Sequence, residues 1–125
     1  MNVVDSSGCL EYCADGPNAD FFAPAIENIS DLVVPVLSIY EVFKRVLQQR
    51  GEAHALQAVG VMAQGPVVEL STGIAINAAK ISVDLRLPMA DSIILATARA
   101  YNATLWTQDA DFQTIESVQY IERRT

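Results

Sequence analysis

Between residues 87 and 107 the chain reads LPMADSIILATARAYNATLWT. Pro88 stops whatever helix precedes it and suits the start of the next one. From Met89 to Tyr101 apolar side chains recur nearly all round (Ile93, Ile94, Leu95, Ala96, Ala98), as in a helix buried on every side. A short β-type run, Thr104 to Thr107, follows. The same alternation extends in both directions. Upstream, Ile74, Ala78, Ile81 and Leu85 mark a helical stripe, Val67 to Leu70 is strand-like, and Glu52 to Ala63 is a weaker helix. Ile39, Val42, Phe43, Val46 and Leu47 fall on one helix face that Gly51 ends. Leu32 to Val36 is a short β-rich run, and Asn18 suits the cap of a helix carrying Phe21, Phe22 and Ile26. Gly16-Pro17 separates that helix from another over Ser6 to Ala14, which follows the apolar run Asn2 to Val4. Downstream, Val118 to Ile121 is the last strand candidate. Short apolar strands separated by helices pair in parallel, because parallel pairing needs crossovers and buries both sheet faces. The expectation is a three-layer, doubly wound α/β sheet flanked by helices, one domain over residues 1–125.

Composition agrees. The 125 residues are 51% hydrophobic and only 18% charged, which supplies a core and excludes disorder. No apolar run approaches the ~18 residues of a membrane span. The start, Met1-Asn2-Val3-Val4-Asp5, lacks the basic and apolar regions of a secretory signal, and the two cysteines, Cys9 and Cys13, make no disulfide framework. A cytoplasmic location is expected. Fifteen acidic against eight basic residues give a formal charge of −7. Such a surface repels nucleic acid at long range, so any nucleic-acid function needs a local source of positive charge.

Ligand sites of doubly wound sheets lie outside the carboxyl ends of the strands. Acidic residues occupy those junctions: Asp5 after the first strand, Glu41 early in the third helix, Asp91 after Pro88, and Asp109 with Asp111 after Leu105-Trp106-Thr107. Each also has a purely structural use. Asp5 suits a helix N-cap, Ser38-Ile39-Tyr40-Glu41 spells a capping box, Asp91 complements a helix dipole, and Asp109-Ala110-Asp111 suits an Asx turn. Together they converge at one sheet end, where like charges repel strongly unless a cation lies between them. Oxygen-only ligands select a hard divalent ion, Mg²⁺ or Mn²⁺, which activates water and neutralises phosphate charge.

These blocks carry a resemblance. Asp5-Ser6-Ser7, Glu41, Leu87 to Ala98 and Leu105 to Phe112 are similar to the PIN domain, and more narrowly to the VapC toxins of VapBC toxin–antitoxin pairs, over essentially the whole chain. The resemblance implies an Mg²⁺- or Mn²⁺-dependent endoribonuclease acting on structured RNA such as tRNA or ribosomal RNA, a homodimer, and inhibition by a VapB-type antitoxin. It implies Asp5, Glu41, Asp91 and Asp109 as the catalytic acids, with Asp5, Asp91 and Asp109 as metal ligands and Glu41 orienting the attacking water. Ser6, Thr107 and Asp111 take supporting roles. Phe21, Phe22 and Ile26, where exposed, would form a groove for an antitoxin helix, and an antitoxin arginine would pair with the acids.

Two other Mg²⁺-binding folds fit less well. A haloacid-dehalogenase-type phosphatase needs Asp-x-Asp where Asp5-Ser6-Ser7 stands, and a response-regulator receiver needs a lysine after its last strand, whereas Lys44 and Lys80 lie inside helices. A non-catalytic interaction module whose acids are helix caps is the second reading of the same residues. The single histidine, His54, reads as a surface residue, Lys44, Arg45 and Arg86 as a solvated face or phosphate guides, Trp106 as packing, and Cys9 and Cys13 as small core residues.

Overall fold

The computed structural model describes residues 1–124. β1 (Asn2–Val4) leads into α1 (Ser6–Cys13) and α2 (Ala19–Glu27), and a 3₁₀ turn over Ile29–Asp31 leads to β2 (Val34–Pro35). The antiparallel pair α3 (Val36–Arg50) and α4 (Glu52–Met62) follows, then β3 (Val67–Val68), α5 (Thr72–Leu85) and α6 (Met89–Ala100). β4 (Thr104–Thr107), a second 3₁₀ turn over Ala110–Phe112 and β5 (Val118–Tyr120) are the last elements among the described residues.

Every strand pair is parallel. β4 lies between β1 and β5, with Val3 opposite Leu105 and Leu105 opposite Val118. β2 pairs with β3, and a bridge from Asn2 to Leu32 joins the two pieces. The spatial order is β3-β2-β1-β4-β5, so the winding direction reverses between β1 and β4, the switch point at which doubly wound sheets place their ligands.

Neighbouring strand residues point to opposite faces. Val3, Val33 and Leu105 pack with Ile74, Ala78 and Ile81 of α5 and Ile94 and Leu95 of α6. Val4 and Val34 pack on the other side with Phe22, Ile26, Val42, Val46, Ala55 and Met62 from α2, α3 and α4. These two cores are the physical content of the expected three layers. Gly51, at φ +87°, makes the turn between α3 and α4, a conformation that costs glycine little.

Several local expectations change. Leu32 to Val36 contributes only a two-residue strand, because α3 begins at Val36, directly after Pro35 at the N-cap. Ser38 is therefore inside the helix and wholly buried, and no capping box forms with Glu41. Asn18 holds the N-cap position of α2, but its side chain makes no capping bond. Phe22 (0% exposed) and Ile26 (7%) are core and offer no surface to a partner; only Phe21 remains partly exposed, its ring against Phe22 and Trp106. The helix packs its apolar stripe inward on Val4 and Val34, which is where the hydrophobic driving force is largest. Cys9 is core as expected, whereas Cys13, at the end of α1, is exposed.

Candidate metal centre

Asp5 leaves β1 at the switch point and is 5% exposed. It caps α1: its Oδ1 accepts from the Gly8 amide (2.9 Å) and the Ser7 hydroxyl (2.7 Å). Its Oδ2 accepts from Thr107 Oγ1 (2.5 Å), across the β1–β4 pair. Burial pushes the Asp5 carboxyl up to about 6; the bonds from Thr107, Gly8 and Ser7 pull the other way, and the charge of Asp109 adds to the rise.

Gly8 explains why α1 can start so close to the sheet. A Cβ there would lie 2.6 Å from the Phe22 ring and 2.7 Å from Val4 Cγ1, so this close approach needs glycine. Thr107 serves two sides at once, because its Oγ1 also accepts from the Asp109 amide (2.9 Å). Asp109 then turns the chain, its Oδ1 accepting from the Asp111 amide (2.9 Å).

The first turn of α6 brings Asp91 to the same place. Carboxylate oxygens of Asp91, Asp109 and Asp111 lie within 4.8 Å of one another. Asp91 is half-buried, and its carboxyl is pushed up to about 7, first by desolvation, then by the charge of Asp109 and the contact with Asp111, with a further contribution from Asp5. Three carboxylate oxygens this close form a donor set that suits a hard divalent ion, which would relieve their mutual repulsion. The residues present fit Mg²⁺ or Mn²⁺.

Glu41 approaches from α3. Ser6 Oγ donates to Glu41 Oε1 (2.5 Å), so the serine after the Asp5 cap fixes a carboxylate 35 residues away. Asp5, Glu41, Asp91 and Asp109 all line one groove of about 1130 Å³, whose far wall is formed by α3 and α4 and includes Arg45, Arg50 and His54. The structure thus brings the four principal acids to one place. It sets Asp111 within 4.8 Å of Asp91 and Asp109, and gives Asp5 three protein donors, two on Oδ1 and one on Oδ2. Asp5 and Asp109 do act as caps; Glu41 does not, and Asp91 makes no capping bond at the N-terminus of α6.

Two polar residues of this region, Ser7 and Gln108, have roles that the sequence does not announce. Ser7 holds Asp5 as described above. Gln108, 2% exposed, donates its Nε2 to the Ser7 carbonyl (3.4 Å) and accepts at Oε1 from Asn18 Nδ2 (2.9 Å). Gln108 carries no local sequence signal, since its partners lie 101 and 90 residues away.

The PIN domain family profile matches residues 3–117. Comparison with curated proteins finds no match. Among solved structures, the fold is similar to a toxin–antitoxin complex from Klebsiella pneumoniae (TM-score 0.75, 19% identity, covering 94% of this chain and 95% of that one). It is similar to DNA-bound VapBC from Salmonella typhimurium (0.75, 16%, 98% of both chains). It is also similar to a sarcin-ricin loop cleaving VapC toxin from Mycobacterium tuberculosis (0.76, 13%, 95% and 98%).

Proposed function

The chain belongs to the PIN domain family, and on that premise we propose that it is a divalent-metal-dependent endoribonuclease, the VapC-type toxin of a type II toxin–antitoxin pair. The observation that carries this is the meeting of Asp91, Asp109 and Asp111 within 4.8 Å at the sheet's switch point, with Asp91 and Asp109 lining one groove together with Asp5 and Glu41. Asp5, Asp91 and Asp109 would hold Mg²⁺ or Mn²⁺, with Asp111 supporting them from the same carboxylate cluster. A bound ion of this kind supplies a water of lowered pKa and neutralises charge on a phosphodiester.

The chain's own residues supply the rest. Ser6 fixes one oxygen of Glu41 and leaves the other to orient an attacking water and receive its proton. Thr107 holds Asp5 and, through the Asp109 amide, the turn that carries Asp109, so ligands from two strands keep one spacing. In-line hydrolysis with such water leaves a 5′-phosphate and a 3′-hydroxyl. The substrate class is structured RNA, tRNA or ribosomal RNA.

The partner is a VapB-type antitoxin whose arginine pairs with the groove carboxylates. With Phe22 and Ile26 buried, an apolar antitoxin contact on α2 would rest on Phe21. A homodimer is proposed on the outer face of α5, where Ile76 and Val83 lie two turns apart, 54% and 78% exposed, with Met89 beyond them at 74%. No helix among the described residues is long and apolar enough to cross a membrane, and the proposed location is cytoplasmic.

The test is to sequence RNA ends after incubation with purified protein, with and without Mg²⁺. Metal-dependent cuts bearing 5′-phosphates that vanish in Glu41→Gln are expected. A 2′,3′-cyclic phosphate among the products contradicts the mechanism.

A further inference from the structure

One buried primary amide, Asn18, itself bonded to a second, Gln108, ties the C-terminal segment to the sheet end that carries the acids. Asn18, 2% exposed, donates through Nδ2 to Gln108 Oε1 (2.9 Å) and to the Glu122 carbonyl (3.0 Å). Its own backbone amide donates to Glu11 Oε2 (2.7 Å), which fixes Asn18 from behind. The Ile121 amide donates to the Thr107 carbonyl (3.1 Å). Burying amides is costly unless they are hydrogen-bonded, and Asn18 Oδ1 has no partner among the described residues. An apolar pair would fill the same place without that cost, so the amides are there to set position.

What they position is the next residue. Arg123 follows directly on the two fixed points and lines the groove with Asp5, Glu41, Asp91 and Asp109. Eight acidic residues line that groove against three arginines, and of those arginines Arg45 and Arg50 come from α3 while Arg123 alone comes from the C-terminal segment. A polyanion entering the groove meets repulsion from its acidic lining, so a guanidinium carried on the tethered C-terminal segment favours the seating of a phosphate.

We propose that Arg123 is a substrate-binding residue that engages an RNA phosphate beside the carboxylates, and that Asn18 is the positioning residue that holds it there through the Glu122 carbonyl. The identity of the polyanion rests on the ribonuclease reading; the geometry of the clasp does not.

The experiment measures anisotropy of a fluorescein-labelled single-stranded RNA oligonucleotide, with Mg²⁺, over a salt series, in a Glu41→Gln background. Cleavage of unfractionated tRNA by the parent chain gives KM and kcat. Arg123→Gln weakens binding about three- to tenfold and makes the log K against log salt slope shallower by about 0.7, one phosphate contact on a single strand. KM rises by the same factor and kcat holds. Arg123→Lys keeps the slope. Asn18→Leu, which changes no charge, reproduces the loss, and the double variant is no worse than either single one.

An unchanged slope in Arg123→Gln, additive effects in the double variant, or no RNA binding by the parent overturns the proposal. So does poly-glutamate binding in place of RNA. Arg123 is a surface position, so its arm stands even where Asn18→Leu fails to fold. Retained cleavage in Glu41→Gln sinks the ribonuclease mechanism while the slope comparison still decides Arg123.

Discussion

Asp5 and Asp91 are the same side chain at two strand–helix junctions of one site, and their surroundings act on them in opposite ways. Burial raises both, Asp5 to about 6 and Asp91 to about 7. At Asp5, three protein donors (Ser7, Gly8, Thr107) favour the charged form. At Asp91 the neighbours are Asp109 and Asp111, which disfavour it. One corner of the site is held by protein donors, and at the other the carboxylates repel one another. On the proposed reading the difference divides the work: Asp5 is a ligand held in place by the protein, and the triad carries the larger share of the demand for a cation.

The contrast breaks first, and most heavily, at the triad. Asp109→Asn should lower ribonuclease activity at least about a hundredfold while the protein stays folded, since ligand loss exceeds the 10–100-fold typical of supporting residues. Removing one of the mutually repelling charges should at the same time raise the melting temperature of the metal-free protein. Activity assays beside calorimetry check both.

Thr107→Val should cost less in activity, about 10–100-fold, but unlike Asp109→Asn it should destabilise, by about 1–3 kcal/mol, because a buried carboxylate oxygen loses its donor. Urea unfolding reads this directly. Gly8→Ala probes the Asp5 corner by packing alone. With ring and methyl atoms at 2.6 and 2.7 Å from the added carbon, about 1–3 kcal/mol of stability should be lost, with Mn²⁺ affinity of the folded protein held within a few-fold.

The smallest effect is on pH. Both carboxyls bind protons more tightly folded than unfolded, so between about pH 4 and 7 the native state holds more protons than the unfolded chain. Metal-free stability should therefore be fullest below pH 4 as far as these two groups are concerned, and should fall as pH rises through 6 and 7. Melting curves from pH 4.5 to 8 should show that decline, and millimolar Mn²⁺ should offset it at the upper end. A metal-free melting temperature that climbs from pH 5 to 8 would contradict the assignment of charge deficit to the triad.

The sheet was legible because its signal is local and repeated. The all-round apolar helix α6, the stripe of α5 and the Gly51 break each announce themselves within one window. The start of α3 was not, because two local codes conflict there. Ser38 and Glu41 have capping-box spacing, but Pro35 takes the N-cap position and the helix starts a full turn of sequence signal earlier. Ser38 is buried with its hydroxyl unpartnered among the described residues, a cost offset by the packing of Val42 and Val46 on the same helix. The acids were legible by their junction positions, yet their ranking was not. Whether a carboxylate is satisfied by protein donors depends on Thr107 reaching Asp5 across the sheet, a contact between residues 102 apart. Phe22 and Ile26 show the same limit from the apolar side, since their spacing marks a face without saying whether sheet or partner covers it.

The demand for a cation is tested most directly by calorimetric titration of Mn²⁺ into the metal-free protein at pH 7, run in two buffers of different ionisation enthalpy. Saturable uptake is expected, with a buffer-dependent heat that reports proton release from Asp91, and with both signals lost in the Asp91→Asn, Asp109→Asn double variant. Absence of uptake by the parent chain, or undiminished uptake by the double variant, would contradict it.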